Sequence, residues 1–358
     1  MKVYIKYLLK IYFNSVIFVV LIMTSLAIIL NILSEIENLK PYNQSSFFLP
    51  IYLAVLDFPS LIFEMFPFIF LISTQVFFVS LFNNNEIQIF KYSGLKNTNI
   101  LFIICCFVLI LGIFIITIFY STSSYLKNVH INIKNKYTNE QNHLAVITKN
   151  GLWIKDEIDG RIKIINASKI ENNFLLNIFI TEFDENFDVI RTIKSKKVDI
   201  KLKEWLIYDP VIYMDNENNI FDVIKISSNF DYQTMQNLFS NLSSLSIMKL
   251  VELRSNYKQL NYSTTEVDIQ ILRIITYPIY FILMCVLSAI IMFNTKKYKS
   301  TSIKISIGLF FSVLIYYFFN FFYVLGNLEK ISLFISVLSP LIILAILSSF
   351  LLLGVNEK

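Results

Sequence analysis

The 358-residue chain is 55% hydrophobic and 16% charged, with a formal net charge of +5, where soluble globular proteins carry about 45–50% apolar and ~25% charged residues. That balance excludes an ordinary soluble globule, and so small a positive excess calls for no nucleic-acid partner. The three cysteines, Cys105, Cys106 and Cys285, all lie in apolar runs, so the polar part of the chain folds without disulfides.

Apolar runs of about 20 residues read as membrane-spanning helices. The first, Ile11–Leu33, is too long for a signal peptide and no small-residue cleavage site follows it, so it reads as a permanent span. The second, Phe58–Phe82, has an apolar lead-in, Phe47–Leu56, broken by Pro50 and Pro59. Proline disfavours helix at the preceding residue, so the lead-in reads as a separate short interfacial helix. Next comes the loop NNNEIQIFKYSGLKNTN (Asn83–Asn99). Asn84 or Asn85 caps a short helix there, Glu86 sits in its first turn where the helix dipole favours an acid, and Gly94 stops it. Glu86, Ile89, Phe90 and Ser93 share one face. An ordinary interfacial helix and a helix that docks on a cytoplasmic partner both fit this pattern. The third span reads as Ile100–Tyr120.

Residues 121–268 are polar. Between residues 143 and 228 they alternate as strands: His143–Lys149, Leu152 with Ile154, Arg161–Ile165, Leu175–Phe183, Val189–Ile193, Val198–Leu202, Trp205–Met214 and Ile220–Ile226. Asn150-Gly151 and Asp159-Gly160 are hairpin signals. Many short antiparallel strands predict an all-β sandwich or jelly-roll-like domain. In residues 244–260 the period becomes helical, through Ile247, Leu250, Val251, Arg254 and Tyr257. Three more spans follow, Ile269–Phe293, Ile303–Leu325 and Ile331–Leu353. The predicted fold is therefore six transmembrane helices with an all-β domain between helices 3 and 4. It divides as 1–120 (helices 1–3), 121–268 (the external domain) and 269–358 (helices 4–6).

Lysines set the orientation. Lys2, Lys6 and Lys10 precede the first span, Lys91 and Lys96 follow the second, and Lys296, Lys297, Lys299 and Lys304 surround the turn into the fifth. The opposite short loops are poorer in them. Both termini are then cytoplasmic, and the 121–268 segment lies outside.

Catalytic signatures are missing from the sequence. No glycine falls in a phosphate-loop spacing, no serine in G-x-S-x-G, and His130 and His143 have no metal-ligand partners at a recognised spacing. No catalytic residue, metal or cofactor is expected. Glu64, in the second span, is the clear ionisable residue within an apolar run; Asp268 and Arg273 read as edge residues that snorkel.

The run PFIFLISTQVFFVSLFNNNEIQIFKYSGL (Pro67–Leu95) resembles the second span and coupling helix of the LptF/LptG permeases of lipopolysaccharide export. Asn85 stands where a small polar residue usually precedes the glutamate. GLWIKD (Gly151–Asp156), IFITEFDENFDVIRTIKSKKVDI (Ile178–Ile200) and WLIYDPVIY (Trp205–Tyr213) are more similar to LptG than to LptF. Tyr277-Pro278 and LSAIIMF (Leu287–Phe293) resemble the family's fourth span, and the order of elements is the family's along nearly the whole chain.

The resemblance implies a non-catalytic permease of the cell inner membrane. It implies a sister permease (LptF-like), a cytoplasmic ABC ATPase dimer (LptB-like), a periplasmic bridge (LptC/LptA-like) and lipopolysaccharide as partners. The lipid enters sideways, between the first span of one subunit and the fifth of the other, and ATP-driven closure pushes it into the bridge. Glu86, with Ile89, Phe90, Ser93 and Gly94, is implied to contact the ATPase. Of the family's cations near the end of the first span only Lys40 is matched, and Lys134 and Lys136 lie near another basic position. Such cations attract an anionic headgroup at about 1 kcal/mol each. Phe63, Phe66 and Phe70 are implied to line an acyl-chain cavity beside an inward-facing Glu64; from physics alone those rings equally face lipid or a neighbouring helix. Competing readings are another ATP-driven lipid or lipoprotein exporter and a membrane scaffold or sensor with an external β domain.

Overall fold

The computed structural model describes residues 3–39, 48–138, 152–158, 161–171, 173–184, 187–214, 217–232, 235, 241–259, 263–295 and 300–353. Inter-residue contacts divide the chain into two units, one of residues 1–40, 46–130 and 265–358, the other of residues 41–45 and 131–264.

Six helices in the first unit are long and apolar enough to cross a membrane. The chain runs through α1 (Val3–Leu39), α2 (Phe48–Asn83), the short α3 (Glu86–Tyr92) and α4 (Asn97–Phe114). A π-helical turn, Ile115–Phe119, joins α4 to α5 (Tyr120–Thr138). After the β region come α6 (Ile247–Gln259), α7 (Thr265–Asn294), α8 (Thr301–Asn327) and α9 (Leu333–Leu352). The spans are α1, α2, α4 with the start of α5, α7, α8 and α9.

The interfacial lead-in before the second span is not a separate helix: α2 is continuous from Phe48 to Asn83. Pro50 falls in the first turn, where the missing N–H has no partner to lose. Pro59 and Pro67 stand in the interior, which membrane helices tolerate when a neighbour compensates. Here the Asn31 amide of α1 donates to the carbonyl of Ala54, close to the Pro59 break, at 3.2 Å.

α7 is the most enclosed span, with 72% of its membrane window covered by the rest of the chain, and α2 follows at 67%. Polar side chains stitch this centre together. Tyr12 shares hydrogen bonds with Thr74 (3.3 Å) and Cys285 (3.4 Å), and Ser288 donates to the carbonyl of Leu71 at 2.7 Å. Gln75 donates from α2 to the carbonyl of Lys304 at 3.0 Å. Gly308 makes that contact possible, because a Cβ there would overlap the Gln75 amide.

The second unit is built on a nine-stranded antiparallel sheet. Its strands are β1 (Leu152–Ile158), β2 (Arg161–Ala167), β3 (Lys169–Glu171), β4 (Phe174–Phe183), β5 (Val189–Asp199), β6 (Glu204–Tyr208), β7 (Val211–Met214), β8 (Glu217–Ile220) and β9 (Val223–Ser227). The main path is β1-β2-β4-β5-β6-β9, with β3 on β4 and with β7 between β5 and β8. The sheet is open, not a closed barrel. β1 and β2 pair antiparallel down to Ile158 opposite Arg161; the expected Asp159-Gly160 turn lies outside the described residues.

The two expected strands Val189–Ile193 and Val198–Leu202 are one strand, β5, and the expected Trp205–Met214 is two. Asp209, with φ of 46°, and Pro210 separate β6 from β7, since proline brings no ladder donor. Likewise Ile220–Ile226 divides between β8 and β9. The expected strand His143–Lys149 and the Asn150-Gly151 turn lie outside the described residues. The core of the sheet includes Ile154, Ile165, Ile180, Ile193, Ile207 and Trp205, all buried. The Trp205 indole donates to the carbonyl of Phe230 at 2.6 Å.

Candidate functional site

The loop between the second and third spans folds as the sequence predicts, with one difference. Gly94, at φ of 83°, ends α3 in a left-handed turn. The N–H of Leu95 donates to Phe90 and that of Gly94 to Lys91, which satisfies the last carbonyls. The expected asparagine cap is absent: Asn85 takes a left-handed conformation (φ 57°), and no side-chain hydrogen bond caps the helix. The Asn84 amide instead donates to Glu86 Oε1 at 3.1 Å.

Ile89 and Ser93 of the expected face are exposed and Glu86 is half-buried, and the exposed surface also takes in Tyr92. Ile87 is buried and anchors the helix, and Phe90 is half-buried. Ile89 is 60% exposed and Tyr92 90% exposed. Ser93 returns its hydroxyl to the carbonyl of Ile89 at 3.0 Å. No local pattern in the sequence singles out Tyr92 or Tyr7. Tyr7, on the first turns of α1, donates its phenol to Glu86 Oε1 at 2.8 Å. Glu86 Oε2 is buried without a hydrogen-bond partner. The carboxylate is therefore held from one side by α1, with its second oxygen unsatisfied.

Lys40 lies outside the described residues, Lys134 is half-buried on α5, and Lys136 is in the same helix with no description of its side chain. The structure adds buried polar groups near this end of α1. Glu35 Oε1 meets His130 Nε2 at 3.2 Å, tying α1 to α5. Asp57 accepts from the Ser60 hydroxyl at 2.9 Å.

Phe63, Phe66 and Phe70 do not form an open cavity wall. All three are buried. Phe63 stacks on Tyr277 at 5.1 Å between centroids, Phe66 meets Phe119 at 5.3 Å, and Phe70 meets Phe281 at 4.9 Å. α7 and the π-helical turn cover that face of α2.

Glu64 points the other way and is exposed. It opens on a pocket formed by α2, α7, α8 and α9. Arg273 lines the same cavity and does not snorkel outward as expected. Its guanidinium sits 5.0 Å over the ring of Tyr323 and interacts electrostatically with the Tyr277 phenol and with Glu64. A signal for this site was present in the sequence. Arg273, Tyr277 and Tyr280 follow i, i+4, i+7 on α7, and Tyr316, Asn320 and Tyr323 do the same on α8.

Comparison with the curated proteins yields no match. The profile of the family described as lipopolysaccharide export system permease LptF/LptG matches residues 6–354. The match takes in all six spans, the coupling-type helix and the intervening sheet, so the chain belongs to the LptF/LptG family of lipopolysaccharide export permeases.

Proposed function

We propose that the protein is the LptG-like permease subunit of an ATP-driven exporter that extracts lipopolysaccharide from the outer leaflet of the inner membrane and passes it to a periplasmic bridge. Both termini then face the cytoplasm and the β domain faces the periplasm. The domains divide at residues 120 and 268. Hydrolysis belongs to a separate ATPase dimer.

The observation that carries this reading is α3. It is a short helix between two spans that presents Ile89 and Tyr92 outward and keeps one oxygen of Glu86 unsatisfied. An apolar pair beside a carboxylate suits a groove with a basic rim. Lysines agree with a cytoplasmic placement: Lys91 is in the last turn of α3 and Lys96 follows it, and Lys6 and Lys10 lie on the start of α1.

Lateral access for the lipid is supported by coverage. The two least covered spans are α8, with 11% of its membrane window buried in the chain, and α1, with 22%. These are the fifth and first spans, whose uncovered apolar faces suit a sister permease and the lipid between them. Lys40, Lys134 and Lys136 meet the anionic headgroup in this reading.

Glu86→Lys tests it. The variant should insert normally, lose co-purification of the ATPase and stop export. Normal export with the ATPase still bound would reject the assignment of α3.

A further inference from the structure

We infer that the cavity holding Glu64 and Arg273 is a subsite for an uncharged, hydroxyl- or amide-bearing ring of a glycolipid, separate from any site for its phosphates. The inference rests on the reading of the chain as a lipid permease, but not on the coupling helix.

Position is the first argument. Arg273 lies about 12 Å along α7 from its start at Thr265, at 1.5 Å per residue. Asn320 and Tyr323 are in the last two turns of α8, and Ser336 is in the first turn of α9. All of these mark the helix ends on the side from which the chain leaves for the β region. A lipid's polar group, not its chain ends, occupies such a depth.

Charge is the second. Among the lining residues the charged side chains are Glu64 and Arg273, whose charges cancel. No ion pair within 4.0 Å joins Glu64 and Arg273, both of them described residues, so the two are not in direct contact. Charges inside a membrane cost several kcal/mol unless paired or solvated. Two opposite charges held apart across a cavity leave room for a group that bridges them. A carboxylate only accepts hydrogen bonds and a guanidinium only donates them. Neighbouring hydroxyls, or an amide with its N–H and C=O, offer both complements. A phosphate offers only acceptors and would face Glu64 unfavourably.

The walls are the third. Tyr280 and Phe319 stack at 4.3 Å, Phe68 lies 5.8 Å from Tyr316, and Tyr323 lies under the guanidinium. These rings supply flat apolar faces, and their phenols supply polar rims.

The test uses the assembled complex in lipid nanodiscs and two probes that share one diazirine-bearing dodecyl chain, a dodecyl maltoside and a dodecyl phosphate. Labelled peptides are mapped by mass spectrometry. The maltoside should label α7 and α8 segments containing Arg273 and Asn320–Tyr323. Glu64→Gln and Arg273→Gln should each reduce that labelling at least about tenfold, the loss of one charged hydrogen bond. Tyr316→Phe, which removes one hydroxyl, should reduce it less. Preferential labelling by the phosphate would overturn the inference, as would labelling by neither probe. If a variant fails to assemble, the comparison of the two probes on the unaltered complex still decides. Lipopolysaccharide export is followed in parallel. Maltoside labelling without export leaves this inference standing and rejects the transport reading, whereas export without labelling does the reverse.

Discussion

Two carboxylates, one in the sheet and one in the helix block, are treated in opposite ways. Asp156 of β1 is fully buried and its oxygens accept from the Ser228 hydroxyl (2.7 Å), the Asn229 N–H (3.2 Å) and the Asn229 amide (2.9 Å). Beside it, Lys163 is buried and donates to the carbonyl of Ser227 at 2.7 Å. Every donor to Asp156 comes from the segment after β9 and Lys163 holds the last residue of β9, so the network pins the end of β9 and that segment to β1 and β2. Glu64 is exposed in a span, near a cation that it does not touch. A buried charge satisfied by its own chain serves the fold. One left open in a membrane span points outward, to a ligand or a partner. Glu86 lies between the two cases, with one oxygen satisfied and the other not.

Breaking the satisfied site should have the largest effect. Asp156→Ala strands three donors and should destabilise the β unit by about 3–5 kcal/mol, whereas Asp156→Asn should cost less. Tryptophan fluorescence is a direct probe, because Trp153 and Trp205 are the only tryptophans and both lie in the sheet. An unchanged unfolding midpoint would remove the distinction drawn here.

Gly308→Leu comes next. The added side chain collides with the Gln75 amide and forces α8 from α2, at about 1–3 kcal/mol for overpacking. Thermal unfolding in detergent measures it, and Gly308→Leu with Gln75→Ala should recover part of the loss. No recovery would place the strain elsewhere.

Tyr7→Phe deletes one exposed hydrogen bond, worth about 0.5–1.5 kcal/mol. It should leave folding unchanged and lower the lipid-stimulated ATPase rate of the assembled complex severalfold. A rate equal to wild type would show that Tyr7 does not position Glu86.

The smallest effect on stability belongs to Glu64→Leu, expected within about 0.5 kcal/mol of wild type. A loss as large as that of Asp156→Ala would mean that Glu64 is a structural group after all.

The spans were legible because about 20 apolar residues leave few alternatives. α3 was legible because Gly94 and Glu86 mark its ends in local terms. The strand divisions were less so, since Asp209-Pro210 interrupts an alternation that continues on both sides. The continuity of α2 is hidden in the sequence because Pro50 and Pro59 would end a helix in water, while the compensating Asn31 is on another helix. The partners of Glu86 and Glu64 escaped for the same reason. Tyr7 is 79 positions from Glu86, and Arg273 approaches Glu64 through the packing of α7 on α2. Side chains that meet across helices leave only weak periodic traces in sequence, such as the Arg273-Tyr277-Tyr280 spacing.

The central claim is that α3 is where the permease takes up the work of ATP hydrolysis. Its most direct measurement is the amount of ATPase that co-purifies with tagged Glu86→Lys protein relative to wild type, at equal membrane insertion. The account predicts a loss of at least about tenfold, since a reversed charge replaces attraction by repulsion at the contact. Full recovery of the ATPase with the variant would contradict it.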